Sequence, residues 1–204
     1  MTQGVTAVPP RRGRPRSEKA RGAILEAAAE LLLERGLTAA SMDAVAARAA
    51  VSKATIYRWW PTKETLALDV LHHELAGVPP ARDTGSLRGD LLSFARPWAR
   101  LASRRPYGRV IAALLIEAQT DPAFGREYRA RFLQPRRDLA RAIFRRAIER
   151  GEIPADTNIE VALDLIYGPI YHRLMHGHAP LDDRSVRELI DTALDGIAPV
   201  RSGQ

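Results

Sequence analysis

An all-α fold in two helical units is what this chain predicts, on three observations. Every long segment carries apolar residues at helical spacing, and no run alternates at period two for long enough to form a sheet. Prolines and glycines mostly fall between those segments, where they read as helix ends and turns. The chain has 204 residues, 46% hydrophobic and 27% charged, enough to bury a sizeable core. It has no cysteine, which excludes disulfides, cysteine-zinc sites, iron–sulfur clusters and a thiol nucleophile. Its longest uncharged apolar runs, such as 110–116, are too short to span a bilayer, and no apolar stretch suited to a signal peptide opens the chain. Arg11-Arg12 is followed by Gly13-Arg14-Pro15, unlike a twin-arginine export signal. A cytoplasmic protein with no membrane partner is expected.

Residues 1–16 contain Gly4, Pro9, Pro10, Gly13 and Pro15 and read as a flexible arm. Ser17 is a good N-cap for a first helix, with Ile24, Leu25, Ala28, Leu31 and Leu32 on one face and Gly36 at its end. Ser41 caps a short helix from Met42 to about Ala49. Ser52 or Lys53 opens a third, which runs to about Trp60 before Pro61 stops it. Thr62 caps a fourth, Lys63 to about Leu75. The break at Gly77-Val78-Pro79-Pro80 divides a unit at 17–76 from a second at 77–204. In the second unit, helices are expected at Leu87–Ser103 and Tyr107–Gln119. Asp121-Pro122, an N-cap and an N1 proline, opens a stretch to Arg150 that is kinked or broken near Pro135. Thr157 and Glu160 form a capping box for a helix to His176, kinked at Gly168-Pro169. A last helix runs from about Asp182 to Ile197.

Lys and Arg total 31 against 24 acids, a net charge of +7 with histidine neutral. That favours a polyanionic partner, nucleic acid or an anionic membrane surface. The excess is uneven: Arg11, Arg12, Arg14, Arg16, Lys19 and Arg21 face one acid, Glu18, in the first 21 residues. All three lysines, Lys19, Lys53 and Lys63, also fall in the first third. The partner implied by charge therefore meets the N-terminal region.

Residues 38–60 read as two short helices joined by a tight turn. Met42, Val45 and Ala46 face inward, Val51 fills the turn, and Ile56 and Trp60 anchor the second helix. Ser52, Lys53, Thr55, Tyr57, Arg58 and Trp59 are left outside. Hydroxyls, cations and aromatics on one exposed face suit phosphate and base-edge contacts in a major groove. The bland reading is two surface helices of a bundle with ordinary polar faces.

Gly36-Leu37, Ser41-Met42-Asp43-Ala44-Val45-Ala46, Val51-Ser52-Lys53-Ala54-Thr55-Ile56-Tyr57 and Pro61-Thr62-Lys63-Glu64-Thr65-Leu66 together resemble the tetracycline-repressor (TetR) family of bacterial regulators. The pattern spans roughly 18–70. It departs from the family at Ala50, where glycine is frequent in the turn, and at Trp59-Trp60, where smaller aromatics are usual. Tyr167-Gly168-Pro169-Ile170-Tyr171 with Arg173-Leu174 is similar to one of its C-terminal subfamilies. The resemblance implies a helix-turn-helix DNA-binding unit at 17–76 and a helical effector and dimerisation unit at 77–204. It also implies a homodimeric regulator, most often a repressor, released from double-stranded operator DNA by a small-molecule effector.

On this reading Arg58 contacts a base, guanine by preference, because arginine can bond two acceptors there. Thr55 touches a thymine methyl, and Lys53, Tyr57, Trp59 and Lys63 hold phosphates. Ser41 and Ser52 complete the expected DNA contacts. Arg12-Gly13-Arg14-Pro15 resembles an AT-hook core, so Arg12 and Arg14 read a narrow minor groove or act as a solvated basic tail. Phe94, Trp98, Ile116, Phe132, Tyr167 and Tyr171 either line a pocket or are plain core. Glu117 and Tyr128 are candidate anchors for an apolar or aromatic effector with a cationic or hydroxyl group. Glu117 and Asp164 interrupt apolar stretches, where an unpaired buried charge is costly.

The resemblance also implies that the last two helices pair between protomers, with Leu163, Ile166, Ile170, Leu174, Leu189, Ile190 and Leu194 as apolar supply. His172, His176 and His178 lie close in sequence, but their ligand set is incomplete and no metal is assigned. No cofactor and no catalytic residue is assigned either: the chain has no Gly-x-Ser-x-Gly elbow, His-Glu-x-x-His or phosphate loop. An architectural DNA binder of neutral sequence preference is the remaining alternative. It would use the arm without needing a reading helix or a large second unit.

Overall fold

In the computed structural model, which describes residues 14–76 and 82–197, the described residues form helices and connections with no strand. Ten α-helices follow one another: α1 (Arg14–Ala39), α2 (Met42–Arg48), α3 (Lys53–Tyr57), α4 (Lys63–Ala76), α5 (Leu87–Ser103), α6 (Arg105–Thr120), α7 (Pro122–Tyr128), α8 (Gln134–Glu149), α9 (Ile159–His176) and α10 (Asp183–Ile197). A π-helical segment, Arg129–Leu133, joins α7 to α8.

Caps explain most of the boundaries. Ser41, Ser52, Ser86 and Asp121 each accept a bond from a backbone N–H of the first turn they precede. Thr62 and Thr65 bond reciprocally at the start of α4. Two expectations need correction. The first helix starts at Arg14, ahead of Ser17, though its helical geometry breaks at Gly36 as expected, where φ is 72°. α9 is capped by Asn158, which bonds Val161 N at 3.2 Å. Thr157 instead donates to Pro154 O, and Glu160 is taken by Arg137 and Arg141. α9 is one helix through Gly168 and Pro169.

The break expected near Pro135 is the π segment. Proline has no N–H to give and its ring crowds the carbonyl one turn back. Widening the preceding turn relieves that crowding, and the Gln134 N–H reaches five residues back to Arg129 O.

The small N-terminal unit closes around Ile24, Leu31, Val45, Ile56 and Trp60. The larger unit closes around Leu91, Trp98, Ile111, Leu114, Phe132, Phe144, Leu163 and Ile190. α1 lies along α6, and α4 touches α6 and α7, so the two cores are continuous. Several residues expected at a dimer seam belong to this core: Leu163, Ile166, Ile170 and Ile190 are buried within the protomer. The apolar residues that α9 leaves exposed are Val161, Leu165 and Met175. No helix among the described residues is long and apolar enough to cross a membrane.

Candidate nucleic-acid interface and inner cavity

The connection between α2 and α3 follows from local chemistry. α2 ends in a Schellman motif: Val51 N bonds Ala46 O at 3.1 Å, and Ala50 N bonds Ala47 O at 3.3 Å. The left-handed position belongs to Ala50, with φ 52°. α8 ends by the same motif with glycine, Gly151, in that position. The α2–α3 turn therefore carries a Cβ in a conformation that disfavours one.

α3 is one and a half turns long and cannot be stable by itself. α3 packs on α2; Ile56 is fully buried, and Trp60 meets Asp69 of α4 and Arg21 of α1, burial of a large apolar side chain contributing about 1.5–3 kcal/mol. Its outer face carries the expected residues. Tyr57 is 49% exposed. Arg58 is exposed, stacks 5.3 Å over the Trp59 ring, and has no carboxylate partner among the described residues. Trp59 is half-buried, edge-on to Trp60 at 5.5 Å. Lys53 is exposed and ion-paired with Asp43, while Lys63 stands 4.0 Å from Glu64. The hydroxyls of Ser41 and Ser52 serve as caps, and Thr55 is tied to Ser52 at 2.9 Å. Arg12 and the side chain of Arg14 lie outside the described residues.

Trp60 also connects the unit to the rest of the molecule. Its Nε1 donates to Asp69 of α4 at 2.9 Å. Asp69, 8% exposed, accepts from Arg21 of α1 at 3.1 Å and from Arg131 of the π segment as well. One buried carboxylate thus gathers donors from α1, from the end of the exposed-face helix and from the larger unit. Sequence reasoning missed it, although a lone acid within the apolar run 66–71 was the available signal.

A cavity of about 390 Å³ lies between α6, the π segment and α9. Tyr128, Tyr167 and Tyr171 line it, together with Leu115, Ala118 and Gln119 of α6, and Gly168 and Asp164 of α9. Arg129, Leu133 and Arg137 complete the wall. Phe94, Trp98 and Phe132 stand behind this lining. Trp98 meets Phe132 at 5.6 Å and Tyr171 at 6.1 Å, and Phe94 meets Tyr167 edge-on at 6.4 Å. Of the eight expected residues only Tyr128, Tyr167 and Tyr171 line the cavity; Phe94, Trp98 and Phe132 stand behind it, Ile116 is 57% exposed and Glu117 is half-buried off it. Helical phase is the reason. Positions 115, 118 and 119 share the face that α6 turns to the cavity, and 116 and 117 fall on adjoining faces. Asp164 is not a buried lone charge but is exposed and paired with Arg137 at 2.8 Å.

Burial pushes the Tyr128 and Tyr167 hydroxyls well above their ordinary range; the neighbouring Tyr171 hydroxyl adds to the rise at both, and the Arg136 charge opposes part of it at both. Both are therefore protonated donors at neutral pH. The rings of His172, His176 and His178 lie 4.6–6.4 Å apart, but no three potential ligands among the described residues are arranged to hold a metal.

Two family profiles match the chain. Residues 24–70 match that of the bacterial regulatory proteins of the tetR family, and residues 81–193 match the tetracyclin repressor-like C-terminal domain. The HTH-type transcriptional regulator YdeS of Bacillus subtilis is 42% identical over 187 residues, 92% of this chain and 94% of the relative. The DNA-binding transcriptional repressor TetR of Mycobacteroides abscessus is 34% identical over 185 residues, 88% and 94% of the two chains. Among solved structures, the TetR family transcription regulator SCO0332 superimposes with a TM-score of 0.75 at 38% identity, over 89% of this chain and all of that one.

Proposed function

This chain belongs to the TetR family of bacterial regulatory proteins and is a DNA-binding transcriptional regulator; from that premise we propose that it is a homodimeric repressor. It reads a near-palindromic operator with α3 and leaves it when a small molecule fills the cavity between α6 and α9. The observation that carries the reading role is Arg58. It is exposed, free of any described carboxylate and stacked on Trp59, on a helix whose opposite face is fixed by Ile56 and Trp60. A guanidinium so presented can bond O6 and N7 of one guanine. Tyr57, Trp59, Lys53 and Lys63 then hold phosphates around it, with Lys53 exchanging Asp43 for a phosphate. The Thr55 methyl meets a thymine, and Ser41 and Ser52 orient the first turns toward the backbone.

The units are 17–76 for reading and 77–204 for effector binding and dimerisation. Arg12 and Arg14, in the 1–16 arm, add phosphate or minor-groove contacts. Dimerisation runs through α9 and α10, where Val161, Leu165 and Met175 supply exposed apolar surface. A two-fold dimer sets the reading heads one helical turn of DNA apart, about 34–36 Å. The repressor direction follows the relative from Mycobacteroides abscessus, and a DNA target makes the cytoplasm the site of action.

Effector and operator are coupled through Asp69. A ligand that prefers a shifted π segment moves Arg131, and with it the carboxylate that fixes Trp60 at the end of α3. Footprinting on the protein's own genomic sites tests the reading, with protected near-palindromes expected and uniform coverage refuting it. Arg58→Ala should cost about 1–3 kcal/mol and relax preference at one position per half-site. Equal weakening on all DNA would make Arg58 a phosphate clamp instead.

A further inference from the structure

Enclosed hydrogen-bonding groups without a close partner lie in and behind the cavity's aromatic lining: Tyr128 and Tyr167 line it, Trp98 stands behind, and Arg136 lies behind Phe132, where it borders a separate pocket with His72 and Leu139. The groups are Trp98 Nε1, the hydroxyls of Tyr128 and Tyr167, and Nε and Nη2 of Arg136. They come from α5, α7, α8 and α9; the Trp98 and Arg136 nitrogens can only donate, and the two tyrosine hydroxyls can donate as well as accept. Tyr128, 4% exposed, lines the cavity itself. The Arg136 guanidinium lies 4.6 Å from the Trp98 ring, 5.4 Å from Phe94 and 5.8 Å from Phe132. Its neighbours on α8 are neutralised, Arg137 by Glu160 and Asp164 and Arg141 by Glu160 and Asp138. No described carboxylate reaches Arg136. Arg129, a further cation, lines the cavity. Buried donors are ordinarily paired, and Arg136, half-buried with two enclosed nitrogens, has no counter-charge among the described residues.

What this wall lacks is an acceptor bearing negative charge. We infer that the effector is a carboxylic acid: an aromatic or aliphatic body occupies the apolar part of the cavity, and its carboxylate accepts from Tyr128 and Tyr167 in the field of Arg136. This inference rests on reading the cavity as the effector site. It reverses the sign expected from Glu117, which lies off the cavity. The uncompensated charge behind the lining is positive, so a cationic ligand would be repelled.

The test uses the full chain and matched probes: 2-naphthoate, 2-naphthamide and 2-naphthylmethylamine, with decanoate, decanamide and decylamine as the aliphatic set. Isothermal titration on the unaltered protein should rank each acid above its amide and each amide above its amine. The acid should lead by about tenfold or more, since an opposite charge ~6 Å away at an effective dielectric near 20 supplies up to about a hundredfold before the carboxylate's desolvation is counted. Arg136→Gln should bring the acid down to its amide and leave the amide unchanged, while Arg136→Lys retains part of the preference. Arg136→Met keeps the apolar stem against Phe94 and Trp98 and should repeat the Gln result if Gln compromises folding. Acids and amides binding alike, or an acid preference that survives both Arg136→Gln and Arg136→Met, would overturn the inference. Gly168→Trp separates the two levels, because a Cβ at Gly168 meets open space and Gly168 lines the cavity. It should abolish binding of every probe. Probes that bind this variant unchanged, or fail to bind the unaltered protein, overturn the cavity reading as well.

Discussion

Replacing Asp69 with alanine isolates the contact that joins the reading unit to the larger unit. Three donors lose their acceptor, and their environments set the size of the effect. The side chains of Arg21 and Arg131 are 42% and 46% exposed, so both return to water and each lost pair costs at most about 1 kcal/mol. Trp60 is 2% exposed, and its Nε1 has no route to solvent. Leaving that donor unpaired costs about 1–3 kcal/mol. The total is about 3 kcal/mol, which lowers Tm by about 6–12 °C in a chain of this size. Calorimetry or circular dichroism on the dimer at fixed concentration measures it. The decisive comparison is the double variant Asp69→Ala with Trp60→Phe. Phenylalanine removes the stranded donor, so the double variant should be less damaged than the two single losses added together. Additive losses, or a change below about 0.5 kcal/mol for Asp69→Ala, would show that the Asp69–Trp60 bond does not hold α3.

Three more outcomes are expected. Arg131→Met should cost about 1 kcal/mol or less and leave operator affinity nearly unchanged, yet narrow the ratio of operator affinities without and with a saturating cavity ligand; an unchanged ratio by fluorescence anisotropy refutes the relay. Ala50→Gly should raise stability by about 0.5–1 kcal/mol, because relief of the left-handed strain exceeds the extra chain entropy of glycine; a lower urea midpoint would contradict the strain read from φ 52°. Asp90, fully buried, is pushed up by burial but held below the usual aspartate range by the bonds from Thr84 and Arg146, so its contribution is present above about pH 4 and lost as pH falls below that. Asp90→Asn should flatten the fall of the urea midpoint as pH drops below about 4, and an unchanged pH slope there would assign the acid sensitivity elsewhere.

Much of the reading unit was legible in the sequence because it is built from short-range chemistry. Ser41, Ser52 and Thr62 cap helices through bonds spanning three residues, and Ile56 and Trp60 mark the buried side of α3 by spacing alone. The outward placement of Tyr57 and Arg58 followed from that phase. Capping misled at Ser17, which lies inside α1, and at Thr157–Glu160, where Glu160 was drawn off by arginines about twenty residues away. Pro135 announced an interruption, but not that the chain would widen into a π turn rather than break.

Residue type and spacing by themselves determined the helices, their order and the face that α3 presents. The tertiary structure decided which of several equivalent helix faces met a neighbour, and so which residues line the cavity. Ile116 and Leu115 are alike in sequence, yet packing turns one to solvent and the other inward. It also decided the charges: Asp164 found Arg137, Asp69 collected Arg21, Trp60 and Arg131, and Arg136 was enclosed among aromatic rings without a carboxylate. A cap reaches across one turn, so local sequence specifies it. The pairing of a buried charge depends on which helices pack side by side, and that is settled only when the whole core closes.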